Sequence, residues 1–597
     1  MAIALTSDSA KAAGRAPNLM VLAVTAWAFF SILMLLHLFV QPSDLFLSSD
    51  DTMRLAQMRD FMAGQSWFDT TQTRMNAPFG LVMHWPHFVD AALTGLVVVL
   101  RPLLGAQAEL GAVRLWPLLT ALPVFLAVTR IGAKLAGREG GIIALVLMAT
   151  CVAALGTFVP GRIDHHNVQL ALCLWMAACL IEEDRPWLFA VAAPLGAFSL
   201  AIGLETLPYV LTASLFATGL AVADGKRFDA SARGFGFAFA GTAALLFTLA
   251  PDAERHLPSC DAYSLFYAPI AVAGGLGLAA LTFLPASPRL RFAGAFGLAI
   301  ALLGLAFATN RTCLGGPYAQ VDPALDALWL SRIEEAQPAW RFAFQEPAYF
   351  FAGYLYAVFC FIATVTACAL SGDMRRKLLV MALLTGSALT VATLEVRGVT
   401  FTCLLGIPGV AALMVFGLRR IEKLKVSKAV QLCLAMAMLI GASDVAFDGV
   451  GKALLKSLPP LPLARDGNAL ACIQADTLSR LDALPAGTVA AFVDQGPRIL
   501  AYSRDSAIAG PYHRDAQGII DINSIFAGAP DSARAVLTAR KASYVLSCSG
   551  SPDYRFYIHE NKNGLLAQLD RGAIPSWLKP VALRDPHNVL RLYRVAQ

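Results

Sequence analysis

Thirteen apolar runs of 16 to 23 residues recur along this chain, separated by short clusters of lysine and arginine. Runs of that length match the hydrocarbon core of a bilayer, roughly 30 Å thick, which an α-helix crosses in about 20 residues. Inside hydrocarbon every backbone N–H and C=O needs a partner within the chain, so such runs are read as helices packed side by side. Composition agrees, with 57% of the residues apolar and 15% charged and a mean hydropathy of +0.60, beyond what a water-soluble core of this length needs. The net charge of +6 resides in the clusters between runs and is read as membrane topology, with no nucleic-acid partner implied.

The first run, 18–40, follows Lys11 and Arg15 and lacks a small-residue cleavage site, which predicts a retained span with a cytoplasmic N-terminus. Lys134 and Arg138, Arg185, Lys226/Arg227, Arg289/Arg291, Arg375/Arg376/Lys377 and Arg419/Arg420/Lys423/Lys425 then mark successive cytoplasmic loops. The expected spans are 18–40, 113–133, 140–158, 166–181, 187–203, 206–222, 234–250, 264–285, 292–308, 348–370, 378–394, 399–417 and 429–445. The weaker stretch Ala91–Leu104, broken by Arg101 and Pro102, is expected to lie at the membrane interface. An odd count puts the C-terminus outside, in the periplasm of a bacterial-type inner membrane.

The expected fold is a membrane all-α bundle of about thirteen transmembrane helices over residues 1–445, with outer loops at 41–112 and 309–347. Residues 446–597 change character: short β-prone runs such as Thr488–Val493 and Tyr544–Ser547, and a possible helix at Asp531–Ala539, alternate with Gly, Asp and Pro turns. They predict a C-terminal extracytoplasmic α/β domain of ordinary size. Cys260 and Cys313 fall in outer loops and Cys472 and Cys548 in the outer tail, a placement compatible with two disulfides. The other seven cysteines lie in spans as small apolar packing residues, and no pair has the spacing of a zinc site.

Acidic residues that bear on chemistry gather on the outer side. Asp50 and Asp51, in Ser48-Ser49-Asp50-Asp51-Thr52-Met53-Arg54, offer the oxygen ligands that hard divalent cations require. An acidic pair in a loop is more often only solvated. A second cluster on the same face, Pro160-Gly161-Arg162-Ile163-Asp164-His165-His166-Asn167, adds weight. Adjacent histidines are expected to diverge on a helix, which favours Asp164 as ligand with one histidine beside it or on substrate. Glu335, in Ser331-Arg332-Ile333-Glu334-Glu335-Ala336-Gln337-Pro338, adds a carboxylate from the large outer loop. Arg397 is a cation at the outer boundary between two apolar runs, with Glu395 as its simplest partner. Glu205 either touches substrate or caps the following helix. The glycines in Gly274-Gly275-Leu276-Gly277 and Gly234-Phe235-Gly236 read as close helix packing.

These motifs, in this order and on this side, resemble the catalytic subunit of oligosaccharyltransferase, within the C-type glycosyltransferase (GT-C) superfamily. That family has thirteen spans followed by an outer soluble domain. Its first outer loop bears an essential Asp followed ten residues later by a second Asp preceded by a basic residue, and Asp50 with Arg59-Asp60 keeps that spacing. Asp51 is the alternative ligand. The family's acidic pair after the third span is similar to Asp164-His165-His166, with His in place of the second acid. Its Ser-Val-Ser-Glu-His-Gln-Pro loop resembles Arg332–Pro338 and lands on Glu335, and Arg397 takes the place of its pyrophosphate-binding Arg. Its Trp-Trp-Asp-Tyr-Gly motif, which recognises the acceptor hydroxyl, resembles Phe492-Val493-Asp494-Gln495-Gly496 with both tryptophans absent.

The resemblance implies a membrane glycosyltransferase, moving a sugar or oligosaccharide from a polyprenyl phosphate or diphosphate carrier to a protein, glycan or lipid acceptor. A divalent metal, Mg²⁺ or Mn²⁺, would be held by Asp50, Asp164 and Glu335, with Asp50, Asp51 and Glu335 as the catalytic carboxylates. Arg397, Arg162, His165, His166 and Asp494 would bind substrate. The competing readings are a polytopic transporter and a non-catalytic scaffold of the same fold. Transporters usually show paired halves around a midplane site, and no repeat is seen here.

Overall fold

The computed structural model of the protein describes residues 17–40, 48–455, 468–583 and 585–596. Lys11, Arg15, the start of the first expected outer loop at 41–47 and the stretch 456–467 lie outside the described residues. Every one of the thirteen apolar runs falls on helical structure. Among the described residues eight helices can by length and composition cross a membrane, or nine if the pair Lys428–Gly441 and Asp444–Leu454, bent by 71°, is one span. His166–Leu180, Pro186–Ile202 and Tyr267–Leu281 are apolar but shorter. Pro186–Ile202 stops where Gly203 adopts an extended conformation, and a 3-10 turn at Leu204–Thr206 precedes the helix Leu207–Ala223. Glu205 sits in that break.

Small residues set the close contacts. Between Lys134 and Arg138 the helical path breaks at Ala136 and Gly137, the latter at φ +73°, which favours glycine. The helices on either side then meet through Gly132 and Gly140: a Cβ on either would lie within 2.7 Å of the other's carbonyl oxygen. Gly236 and Gly275 do the same for Asp229–Thr248 and Tyr267–Leu281, where an added Cβ would come within 2.6 Å of backbone oxygen. The glycine runs are therefore packing surfaces, as expected from the sequence. Stretch 91–104 falls on the helix Phe88–Leu104, whose Val98, Val99 and Leu103 are exposed while Val89, Leu93 and Val97 are buried.

After helix Asp444–Leu455 the character changes to a small sheet domain. Its strands are β3 (Thr488–Ala490), β4 (Ser506–Ala507), β5 (Tyr544–Cys548), β6 (Leu578–Val581) and β7 (Leu590–Val595), numbered after a two-stranded ribbon, β1 (Thr71–Gln72) and β2 (Leu81–Val82). The order is β4-β3-β5-β7-β6. β3 runs parallel to β4 and β5, while β7 is antiparallel to β5 and β6. Every residue of β5 is buried, as expected of a central strand covered on both faces. Cys472–Cys548 and Cys260–Cys313 form the two disulfides.

Arginines dock this domain on the 49–90 segment. Arg59 donates to the Ala501 carbonyl, Arg74 to those of Leu500, Ser503 and Asp505, and Arg540 to those of Asn76 and Ala77. A planar guanidinium with five donors suits several carbonyls at once.

Candidate active site

The adjacent carboxylates Asp50 and Asp51 make different contacts, and helix capping explains why. Ser48 is the N-cap of helix Ser49–Met62: its hydroxyl oxygen accepts from the Asp51 N–H at 3.2 Å, and its O–H donates to Asp51 Oδ2 at 2.8 Å. Asp51 thus holds the third helical position, where a carboxylate completes a capping arrangement. It is fully buried. Its Oδ1 accepts from the backbone N–H groups of Ile163 (2.9 Å) and Asp164 (3.0 Å), and its Oδ2 accepts from Arg162 Nη1 (3.0 Å). Asp51 is the tie between the first motif and the second, where the sequence reading made it a catalytic carboxylate and an alternative ligand. Asp50, one position earlier, faces the chamber.

The tie delivers Asp164 beside Asp50. His165 is the N-cap of helix His166–Leu180 and His166 its first residue, so the chain is only entering the helix and the two rings do not diverge as expected. They lie 4.4 Å apart and both reach the Asp164 carboxylate, His165 Nδ1 at 2.6 Å and His166 Nε2 at 3.4 Å. Glu205 faces the other nitrogen of His165 at 3.5 Å and accepts from Gln169 Nε2 at 3.1 Å. Burial opposes charge on His165, but Asp164 and Glu205 outweigh it and carry its pKa up to about 10. Arg54, one helical turn beyond Asp50, is buried over the Trp85 ring, donates to Asp90 at 3.2 Å and lies 4.0 Å from Asp164. Asp90 in turn pairs with His87 at 2.8 Å.

Glu335 and Arg397 arrive together because the backbone N–H of Val396 donates to the Gln337 carbonyl at 2.9 Å. Arg397 pairs with Glu395 and donates to the Tyr318 hydroxyl at 3.2 Å. Asp50, His165, His166, Glu205, Glu335 and Arg397 all line one chamber of about 120 Å³. Burial, then the charges of Asp164, Glu335 and Asp51, push the Asp50 carboxyl well above the usual range. Asp50, Asp164 and Glu335 offer carboxylate oxygens, the ligand type that Mg²⁺ or Mn²⁺ accepts, but among the described residues they do not form one group with ligand atoms all within 4.8 Å of one another. The nearest ligand atoms of Asp164, His165 and His166 lie within 4.8 Å of one another.

An apolar cavity of about 870 Å³ adjoins the chamber and shares His166, Glu205, Glu335 and Arg397 with it. Leu170, Tyr209, Phe342, Tyr349, Leu394 and Phe401 line it, and Arg162 stands at its polar end. Asp494 is placed elsewhere: it is exposed at the turn after β3, beside Asp553, and does not line the chamber. Phe492 of the same run is buried in the sheet-domain core against Phe526 and Tyr557. The chamber also contains His84, Asp261, Tyr318, Tyr512 and His513, which sequence reasoning missed. Apart from the adjacent Tyr512 and His513 they stand on separate segments with no shared spacing. Arg54 did carry a signal, since a cation four residues after Asp50 lies on the same helix face.

No family model matches the chain, and no curated protein sequence matches it. Among solved structures it is similar to the oligosaccharyltransferase AglB of Archaeoglobus fulgidus. The structure of that enzyme with an inhibitory peptide and a dolichol-phosphate superposes with TM-score 0.65 at 12% identity, over 97% of this chain and 74% of that one. Its apo form gives TM-score 0.69 at 12% identity, over 92% and 72%. Its complex with Zn and sulfate gives 0.62 at 12% identity, over 92% and 70%. The chain has an oligosaccharyltransferase-like fold.

Proposed function

We propose that the chain is a membrane glycosyltransferase that moves a sugar or oligosaccharide from a polyprenyl phosphate or diphosphate carrier to an acceptor. In this reading the N-terminus is cytoplasmic, the domains are 1–445 and 446–597, and the chemistry faces the periplasm of a bacterial inner membrane. The observation that carries it is the junction of a polar, carboxylate-lined chamber with an apolar cavity of about 870 Å³, with Arg397 at the join. The apolar cavity takes the prenyl chain, which needs no polar partners. Arg397 exchanges part of its contact with Glu395 for the phosphate oxygens, where a guanidinium fork stabilises the charge that develops as the sugar departs. Arg162 supports it from the same cavity. Asp50, Asp164 and Glu335 would hold Mg²⁺ or Mn²⁺, which supplies charge neutralisation at the phosphate when bound. His165, kept charged between Asp164 and Glu205, holds both carboxylates in place. The dolichol-phosphate, Zn and sulfate of the A. fulgidus structures support a lipid phosphate and a divalent metal as its ligands.

The test compares surface glycans and lipid-linked sugars in wild-type, deletion and Asp50→Ala strains. Loss of one glycoconjugate and accumulation of its lipid-linked donor in both altered strains is the expected result. Unchanged profiles in both overturn the reading.

A further inference from the structure

The chamber has a second neighbour. A cavity of about 780 Å³ between the bundle loops and the sheet domain shares Asp261, Pro317 and His513 with it. Its lining includes Ser259, Gln320 and Asp322. The apolar cavity that takes the carrier meets the chamber through other groups, with only Pro317 common to all three spaces. The chamber therefore has two approaches lined by separate sets of residues, and His513 stands where the second enters it.

His513 is held as a base would be. Its Nε2 lies 2.5 Å from Asp261 Oδ2. Asp261 is fixed by Arg514, which donates to Oδ2 at 2.6 Å and Oδ1 at 2.7 Å and also reaches Glu254 at 2.7 Å. Its neighbour Cys260 is tied to Cys313. With Nε2 committed as donor to Asp261, Nδ1 is the nitrogen with a free lone pair, and no hydrogen bond occupies it among the described residues. The other groups facing the ring are His84, 4.8 Å away between centroids, and Tyr318, 5.6 Å away and bound to Arg397. Burial and the proximity of His513 hold His84 well below the usual histidine range, so it stays neutral, and Asp261 stays ionised beside Arg514.

We propose that His513, oriented by Asp261, is the general base for a carbohydrate hydroxyl that reaches the chamber through the 780 Å³ cavity. This deepens the glycosyl-transfer reading and rests on it. The acceptor oxygen forms the new bond to the anomeric carbon, and the anomeric C–O bond to the carrier phosphate breaks with its electron pair leaving on the phosphate. The acceptor proton passes to His513 Nδ1, and Asp261 stabilises the imidazolium. His513 is the catalytic residue and Asp261 a positioning residue. Ser259, Gln320 and Asp322 offer donors and acceptors to the acceptor's remaining hydroxyls.

The test uses the deletion strain complemented with wild type, His513→Gln, Asp261→Asn or Asp50→Ala. The dependent glycoconjugate is separated into solvent-extracted lipid and polymer fractions, which tells a glycolipid acceptor from a polysaccharide. Its linkage is read by mass spectrometry, and transfer is followed in isolated membranes across pH. Undecaprenyl phosphate binding to purified protein, read by tryptophan fluorescence, reports whether each variant keeps its fold. His513→Gln should lose about 100-fold or more in transfer, keep undecaprenyl phosphate binding and lose the acid limb of the rate–pH profile. Asp261→Asn should move that limb while retaining part of the rate. An oxygen-linked product is expected, and attachment to an amide nitrogen overturns the proposal. So does full transfer by His513→Gln while Asp50→Ala is inactive, which leaves glycosyl transfer standing. Loss of undecaprenyl phosphate binding in His513→Gln makes the residue structural and likewise overturns it. Unchanged glycans in the Asp50→Ala strain remove both readings together.

Discussion

Two groups of titratable side chains gather at one chamber and are assembled in different ways. Asp50, Asp164 and His165 come from two short motifs, joined by Asp51 through hydrogen bonds to consecutive backbone N–H groups. His84, Asp261 and His513 come from a loop, a disulfide-tied segment and the sheet domain, and meet only when that domain is docked. The first group is local chemistry carried by capping rules. The second is tertiary, and its geometry depends on ion pairs such as Arg514 with Asp261 and Glu254. The carboxylate group should therefore respond sharply to changes at adjacent positions, and the imidazole group to changes in docking.

The largest effect is expected at Asp50. Asp50→Asn removes a carboxylate assigned to the metal and to transition-state charge, a contribution of several kcal/mol, so transfer should fall about 1,000-fold or more. Chelation of divalent cations should do the same to the wild type. Because the substitution also removes repulsion from Asp164 and Glu335, thermal unfolding in detergent without divalent cation should occur at the same or a higher temperature. A marked fall in that temperature would show that Asp50 is structural and break the division of labour with Asp51.

Asp51→Ala should show the converse pattern. It strips partners from the Ile163 and Asp164 N–H groups and from Arg162, and each buried donor left unpaired costs about 1–3 kcal/mol. Thermal stability should drop clearly. Transfer should fall about 100-fold, because Asp164 loses its placement and misplacement by about 1 Å costs that much. Stability equal to wild type would refute the tie. On the imidazole side, Arg514→Lys replaces a fork that spans both Asp261 oxygens and Glu254 with a single point charge. Transfer should fall by about tenfold, or ~1.4 kcal/mol of transition-state stabilisation, without loss of undecaprenyl phosphate binding.

The contrast also explains what could be read from the sequence. Apolar runs dictate helices because the bilayer leaves no alternative, so all thirteen fall on helical structure. Asp50, Asp164, Glu335 and Arg397 could be picked out in the sequence because each lies in a short polar run between apolar ones, and the resemblance to oligosaccharyltransferase pointed to the same positions. The different roles of Asp50 and Asp51 were hidden because both are acidic and adjacent; only the Ser48 N-cap and the incoming 162–164 turn separate them. The closeness of His165 and His166 was misjudged because helical divergence was assumed at a position where the helix has barely begun. His84, Asp261 and His513 left no trace, because 177 residues separate the first two and 252 the last two, and no local rule spans such gaps.

The smallest effect, on stability alone, is expected at Asp515, next to Arg514 but absent from the chamber lining. Asp515 is fully buried and accepts from the Gly510 N–H at 2.8 Å. Burial raises its pKa to about 8, although that hydrogen bond and the charge of Arg540 act the other way. In the unfolded chain an Asp titrates near 3.9, so the folded state holds the proton more tightly. The resulting stability is fully present below about pH 4 and is lost as pH rises through about 8. Unfolding of the sheet domain should therefore occur at progressively lower temperature from pH 5 to pH 9, and Asp515→Asn should flatten that slope by a few degrees while leaving transfer unchanged. Divalent cation separates the two carboxylates: it should stabilise the wild type through Asp50 and leave the pH slope due to Asp515 where it was. A slope that disappears on adding Mn²⁺ would mean that the carboxylate responsible is in the chamber, and that the sheet domain contributes no titration of its own.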